Sequence, residues 1–195
     1  FDQEGVLFPR LAESIPTALF ETYGMTETCS HIALRQFNGA NKSDVFSVLN
    51  GVTIRQDERE CLVITAPHLL NEEIITNDIV EITDKNTFRW LGRFDATINS
   101  GGVKIHPEQV EKKLEGSIPS GYFIASQPDN ILGEKVILVI ESAEYSASQQ
   151  TELTASIENR LSKFEIPKAI YFVPEFVYSS ANKILRKEIL QKLNQ

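Results

Sequence analysis

Read for the alternation of apolar and polar positions, the chain changes character twice. At its start Leu7, Leu11 and Ile15 fall at helical spacing and Pro16 ends the run, which predicts a helix over 5–14. A short buried strand is predicted over 17–21, entering the polar loop Tyr23-Gly24-Met25-Thr26-Glu27-Thr28. A helix followed by a strand that ends in such a loop is the usual tail of an α/β unit, where ligands gather at strand carboxyl ends. From 30 to 91 the pattern shifts to short β-like runs over 45–49, 52–55, 61–65, 79–82 and 87–91. Turn signals separate them, among them Asn50-Gly51, Gln56-Asp57-Glu58 and Asp84-Lys85-Asn86. These runs predict a small antiparallel β-barrel or curled sheet.

The second change follows Gly92-Arg93-Phe94-Asp95. Pro107 opens a predicted helix over 107–115, with Glu108 and Glu111 in its early turns and Gly116 as its stop. Strands are predicted over 122–126 and 135–142, an amphipathic helix over 148–161, a strand over 169–173 and a closing helix over 185–193. The fold class is therefore α/β and α+β. Residues 1–92 read as the end of a larger α/β domain with a β-barrel subdomain, 93–95 as a hinge, and 96–195 as an α+β C-terminal domain of a size that folds alone.

Composition narrows the function without choosing it. The 195 residues are 42% hydrophobic and 24% charged, which suits one good core or two modest ones. The longest apolar run, Val136-Ile137-Leu138-Val139-Ile140, is far shorter than a membrane span, so no membrane insertion is expected. A formal net charge of -8 argues against nucleic acid as a partner, although a small phosphorylated ligand needs only local cations and backbone donors. Cys29 and Cys61 lack metal-ligand spacing and read as reduced thiols of a cytoplasmic protein. Because the chain begins at Phe1 and its only methionine is Met25, a partial chain is expected, with an upstream targeting signal left open. A homo-oligomer is compatible with all of this.

Four stretches carry candidate chemistry, each beside a bland reading. Residues 23–28 offer an aromatic ring, a close-approach glycine, hydroxyls for phosphate and a carboxylate for Mg2+, yet a generic loop could have this composition. Asp78, in Thr76-Asn77-Asp78, could accept both hydroxyls of a ribose or be an exposed turn residue. Arg93 lies two residues before Asp95, and Gly101-Gly102 permits either close backbone approach or positive φ, as ordinary β-turns do. Lys183, in Asn182-Lys183-Ile184-Leu185-Arg186-Lys187, could equally be a solvated surface lysine.

Taken together and in this order, the four stretches resemble the C-terminal part of the adenylate-forming acyl-CoA synthetases, over nearly the whole chain. The resemblance implies that Tyr23 stacks on adenine, with Gly24 and Met25 lining the adenine and acyl pocket. It implies that Thr26 bonds phosphate, Glu27 holds Mg2+, and Asp78 takes the ribose hydroxyls with Arg93 assisting. Asp95 becomes the pivot of a mobile C-terminal domain. Lys183 bridges carboxylate and phosphate oxygens during adenylation, and Gly101, Gly102 and Lys104 border the coenzyme A thiol in the second step. The implied co-substrates are ATP, Mg2+, coenzyme A and a small-molecule carboxylate.

Within the superfamily, the short β region and the run Ile98-Asn99-Ser100-Gly101-Gly102 followed by Pro107-Glu108 look most like the o-succinylbenzoate-CoA ligases of menaquinone biosynthesis. The alternatives are another acyl-CoA or acyl-AMP ligase, or a non-catalytic nucleotide- or partner-binding fragment. The last is raised by the absence of the family's upstream Ser/Thr/Gly-rich phosphate loop, without which these 195 residues alone are expected not to adenylate. Asn77 and Asn182 stand where the family usually has Gly and are expected at left-handed positions. Arg59-Glu60-Cys61 replaces a common Gly-Glu-Leu with no consequence foreseen. His31 either borders the acyl pocket or is structural, His68 and His106 read as a loop residue and a helix N-cap neighbour, and Trp90 reads as core.

Overall fold

The turn-punctuated region resolves into one antiparallel sheet. The computed structural model describes residues 15–69, 71–180 and 182–193, and the helix predicted over 5–14 lies outside them. The chain divides into two compact units, one running up to Asp95 and one starting at Ala96. The first holds β1 (Phe20–Gly24), β2 (His31–Gln36), β3 (Phe46–Val48), β4 (Thr53–Gln56), β5 (Cys61–Thr65), β6 (Ile74–Asp84) and β7 (Thr87–Arg93). They pair in the order β1-β2-β3-β7-β6-β5-β4, every neighbour antiparallel, along an open path. No pairing among the described residues joins β1 to β4 to close a barrel. Ile32, Phe46, Leu62, Ile64, Val80 and Phe88 form the core beneath it, with Phe46 and Phe88 stacked at 5.4 Å.

Several predicted strands need correction. The first is displaced from 17–21 to Phe20–Gly24 and is not buried, alternating exposed and half-buried residues. β2 was not predicted at all. β6 runs well beyond 79–82 because Thr76 and Asp78 are buried inside it, and Thr76 satisfies itself by donating to the Leu62 carbonyl at 2.8 Å. Asn77 consequently sits in a strand and not at a left-handed turn, whereas Asn182 does take φ 56°.

The second unit begins with the hairpin β8 (Ile98–Ser100) and β9 (Val103–Ile105), which the sequence reading missed because each strand has only three residues. There follow α1 (Pro107–Leu114), β10 (Tyr122–Asp129), β11 (Gly133–Glu141), α2 (Ala147–Arg160), β12 (Ala169–Val173) and α3 (Arg186–Leu193). β11 is central, antiparallel to β10 and parallel to β12. Parallel pairing needs a crossover, and α2 provides it. Along β11, Val136, Leu138 and Ile140 pack with Val110 and Leu114 of α1 and Leu153 and Ile157 of α2. Ile137 and Val139 point the other way, into a cluster with Phe123, Phe176 and Ile189 of α3. Strand side chains alternate with period two, so an unbroken apolar run follows from covering both faces. Among the described residues no helix is long and apolar enough to cross a membrane.

Candidate functional site

β1 ends in a kink. Its pairing with β2 shifts register between Tyr23 and Gly24, and a Cβ placed on Gly24 would lie 2.5 Å from the Ser30 carbonyl oxygen. Gly24 is thus required for close backbone approach. Gly24→Ala is expected to cost about 1–3 kcal/mol by overpacking, read as a lower urea midpoint. An unchanged midpoint would mean that the Ser30-His31 backbone yields freely.

After the kink, Thr26–Thr28 form one 3-10 turn. The buried Thr28 hydroxyl accepts from Met25 N–H at 2.9 Å and reaches the Met25 and Ser30 carbonyls at 2.9 and 2.7 Å. It pins the loop from inside, while Thr26 and Glu27 face outward. Thr22, Gly24, Met25, Thr26, Cys29, Ser30 and His31 line an open concavity of about 510 Å3 beside the turn. Thr28 was missed as a positioning residue, although a Thr three residues after Met25 is the position from which a hydroxyl can cap a turn.

Beside this loop, three strands bring together residues far apart in sequence. The Tyr23 hydroxyl donates to Asp78 Oδ2 at 2.6 Å across a separation of 55 residues. Trp90 Nε1 donates to Asp78 Oδ1 at 3.3 Å, and Arg93 Nη1 lies 3.9 Å from the same oxygen. Arg93 forks onto Asp95, Nε to Oδ1 at 3.1 Å and Nη2 to Oδ2 at 3.3 Å. The Asp78 N–H donates to Thr76 Oγ1 at 3.0 Å. Burial and the neighbouring Asp78 carboxylate push the Tyr23 hydroxyl far above its ordinary range, so it remains a donor at neutral pH. Its ring meets Phe88 edge-on at 5.1 Å and leans on Phe46 at 5.8 Å. A carboxylate oxygen can accept two hydrogen bonds, so Asp78 retains capacity for a ligand hydroxyl.

The pairing of Asp78 with Arg93 was legible in principle. Asp84 pairs with Thr87 across the predicted turn, and counting outward reaches Asp78 opposite Arg93 because the two register shifts on the way, between Asp84 and Ile82 and between Val80 and Ile79, cancel. Trp90, read as core, is half-buried and also serves the carboxylate.

The remaining candidates lie in the second unit. Gly101 and Gly102 form the β8–β9 turn at φ 61° and 86°; no atom lies within 4 Å of a Cβ placed on Gly102, so left-handed backbone is what demands glycine there. Glu134 anchors the hairpin, accepting from Asn99 N–H at 2.8 Å and from the Ser126 hydroxyl at 2.7 Å. Lys104 is exposed on β9. Lys183 is exposed in a turn closed by Ser179, whose hydroxyl accepts from Lys183 N–H at 3.1 Å and whose N–H donates to the Lys183 carbonyl at 2.8 Å. Three residues on, Arg186 donates to Glu111 Oε2 at 2.9 Å while Ile124 N–H donates to Oε1 at 2.8 Å. Burial lifts the Glu111 carboxyl to about 7 against the pull of Arg186. Glu111 was assigned no role from the sequence.

No family model matches the chain. A medium/long-chain-fatty-acid–CoA/3-oxocholest-4-en-26-oate–CoA ligase of Mycobacterium tuberculosis is 30% identical over 111 residues, 56% of this chain and 20% of the relative. A 2-succinylbenzoate–CoA ligase of Bacillus cytotoxicus is 26% identical over 207 residues, 91% of this chain and 42% of the relative. Among solved structures, an AMP-forming acyl-CoA synthetase/AMP-acid ligase II-like protein of Dyadobacter fermentans is 37% identical with a TM-score of 0.51, covering 95% of this chain and 54% of that one. The relatives it matches are acyl-CoA ligases of the adenylate-forming superfamily. A second superfamily structure, the Bacillus subtilis o-succinylbenzoate CoA synthetase with its acyl-adenylate intermediate, is 21% identical with a TM-score of 0.75 over 94% of this chain and 43% of that one. At that identity the likeness shows the fold. The chain spans about a fifth to two fifths of the length of these two curated superfamily relatives.

Proposed function

We propose that the chain is the C-terminal part of an acyl-CoA ligase that activates a carboxylate with ATP and passes the acyl group to coenzyme A, with o-succinylbenzoate as the acid. The observation that carries this reading is the Tyr23–Asp78–Arg93 constellation beside the Thr26–Thr28 turn. Asp78 accepts ribose hydroxyls with Arg93 balancing its charge. The exposed part of Tyr23 and the backbone at Gly24 and Met25 border the adenine and the acid. Thr26 donates to a phosphate oxygen.

In the first step a carboxylate oxygen bonds to the α-phosphorus as pyrophosphate leaves. Lys183 offsets the charge gathering between the two reactants. In the second the coenzyme A thiol loses its proton, its sulfur bonds to the acyl carbon, and AMP leaves. Gly101, Gly102 and Lys104 border that thiol, and Asp95 is the pivot between the steps. Among the described residues no group of three or more His, Cys, Asp or Glu could hold a metal ion. The exposed Glu27 suits Mg2+ brought in on nucleotide phosphates, since Mg2+ takes one or two carboxylates beside phosphate oxygens and water. Bound there, Mg2+ would neutralise phosphate charge.

Support for the choice of acid comes from the 2-succinylbenzoate–CoA ligase, aligned over 91% of this chain. The test is the full-length ligase given ATP, Mg2+, coenzyme A and a panel of aromatic, medium-chain and steroid acids. o-Succinylbenzoyl-CoA with stoichiometric AMP is expected. A preference for fatty or steroid acids would replace the substrate, and no AMP release with any acid would overturn the ligase reading.

A further inference from the structure

The turn between β4 and β5 carries Arg59, whose side chain reaches well beyond the turn itself. Asp57 Oδ1 accepts the backbone N–H groups of Arg59 at 2.8 Å and Cys61 at 2.9 Å, and Glu60 takes φ 68°. Those bonds fix the turn whatever side chain position 59 carries. The Arg59 guanidinium is therefore available for other work, and it makes contacts in three directions. Its Nε donates to Asp57 Oδ2 at 2.9 Å, its Nη1 to Asn77 Oδ1 at 3.0 Å and its Nη2 to the Thr76 carbonyl at 3.0 Å. Its Cζ lies over the Phe94 ring, 5.2 Å from the centroid.

Phe94 is 41% exposed and opens a second 3-10 turn, Phe94–Ala96, which has no buried residue. Core packing does not fix that turn in place, whereas a planar cation with a rigid fork can hold a ring on one side and strand acceptors on the other. On the strand side, Asn77 and Thr76 immediately precede Asp78, and Thr76 also bonds the Asp78 N–H.

We propose that Arg59 is a positioning residue that clamps Phe94, and with it the segment leading into Asp95, onto the strand that carries Asp78. The inference rests on the reading of Asp78 as the ribose acceptor and of 93–95 as the pivot. The clamp ties these two features together, so the approach to Asp95 stays fixed on the Asp78 strand for as long as the ring lies under the guanidinium.

The experiment is hydrogen–deuterium exchange of the full-length protein, following the peptide that spans 92–96 in wild type, Arg59→Ala, Phe94→Ala and the double variant. An exposed cation–π contact corresponds to about a 2- to 5-fold change in an opening equilibrium, so Arg59→Ala is expected to speed exchange there by that factor. Phe94→Ala should do the same, and the double variant should add little to either single change. Arg59→Lys keeps the charge beside Asp57 and should still exchange fast, because it lacks the fork and the flat face. General loosening of the turn would instead give independent effects that multiply. Unchanged exchange in Arg59→Ala, fully multiplicative effects, or wild-type exchange in Arg59→Lys would each overturn the clamp. ATP binding by calorimetry separates the two levels of the argument: faster exchange in a protein that fails to bind ATP keeps the clamp and removes the nucleotide reading.

Discussion

Lys183→Ala is expected to lower the single-turnover rate of acyl-adenylate formation by the full-length ligase about 10²- to 10³-fold, the scale on which removal of one preorganised charge or donor acts. The backbone of Lys183 is held at both ends by Ser179, and Asn182 takes the left-handed conformation that tightens the turn. The side chain is exposed, so its removal should shift stability by no more than about 0.5 kcal/mol. A loss of rate without a loss of stability is therefore the signature. Lys183→Arg keeps the charge but spreads it over a plane, and should recover only part of the rate. Thioester formation from supplied acyl-adenylate should be much less affected. Adenylation at the wild-type rate in Lys183→Ala would remove the residue from the mechanism.

The other large effect concerns the fold. Leu138 is fully buried on β11, in the cluster shared with α1 and α2, and its cross-strand partner Ile124 is buried as well. Leu138→Ala should destabilise the second unit by about 2–5 kcal/mol, since the strand is paired on both sides and the cavity cannot easily collapse. Leu138→Met, which nearly conserves volume, should cost less than about 1.5 kcal/mol. Trp90, the only tryptophan, lies in the first unit, so urea unfolding is followed by far-ultraviolet circular dichroism. Equal midpoints for Leu138→Ala and wild type would contradict the packing described for this face.

Where local pattern and tertiary environment agree, the elements were readable. β5 and β12 have the predicted bounds, and α1, α2 and α3 differ only at their ends. Cys61–Thr65 and Ala169–Val173 are dense in strand-forming residues, so local preference and burial point the same way. The failures occur where polar residues have tertiary partners. Thr76, Asn77 and Asp78 interrupt an apolar run and leave an exposed turn open as a reading, yet Thr76 and Asp78 are buried in β6 with hydrogen-bond partners in three parts of the first unit.

The same holds for the site. Its residue types and order are visible in the sequence, but the bond from Tyr23 to Asp78 and the reach of Arg59 to Asn77 and Phe94 are products of strand register. A one-residue slip would turn those side chains to the opposite face. Glu111 and Glu134 show a further limit. Each looks like an ordinary surface carboxylate in the sequence, and each receives a backbone N–H together with a side-chain donor in the structure.

The sheet of the second unit is covered on its two faces at different times during synthesis. The face bearing Val136, Leu138 and Ile140 is covered by α1, which precedes β11, and by α2, which follows it directly. The face bearing Phe123, Ile137 and Val139 waits for Phe176 and for Ile189 on α3. Ribosomes add roughly 5–20 residues per second, so for a few seconds the nascent chain carries a paired sheet with one bare apolar side. A product released before Phe176 would keep that side bare, making it a substrate for chaperones and proteases and not a shorter stable unit.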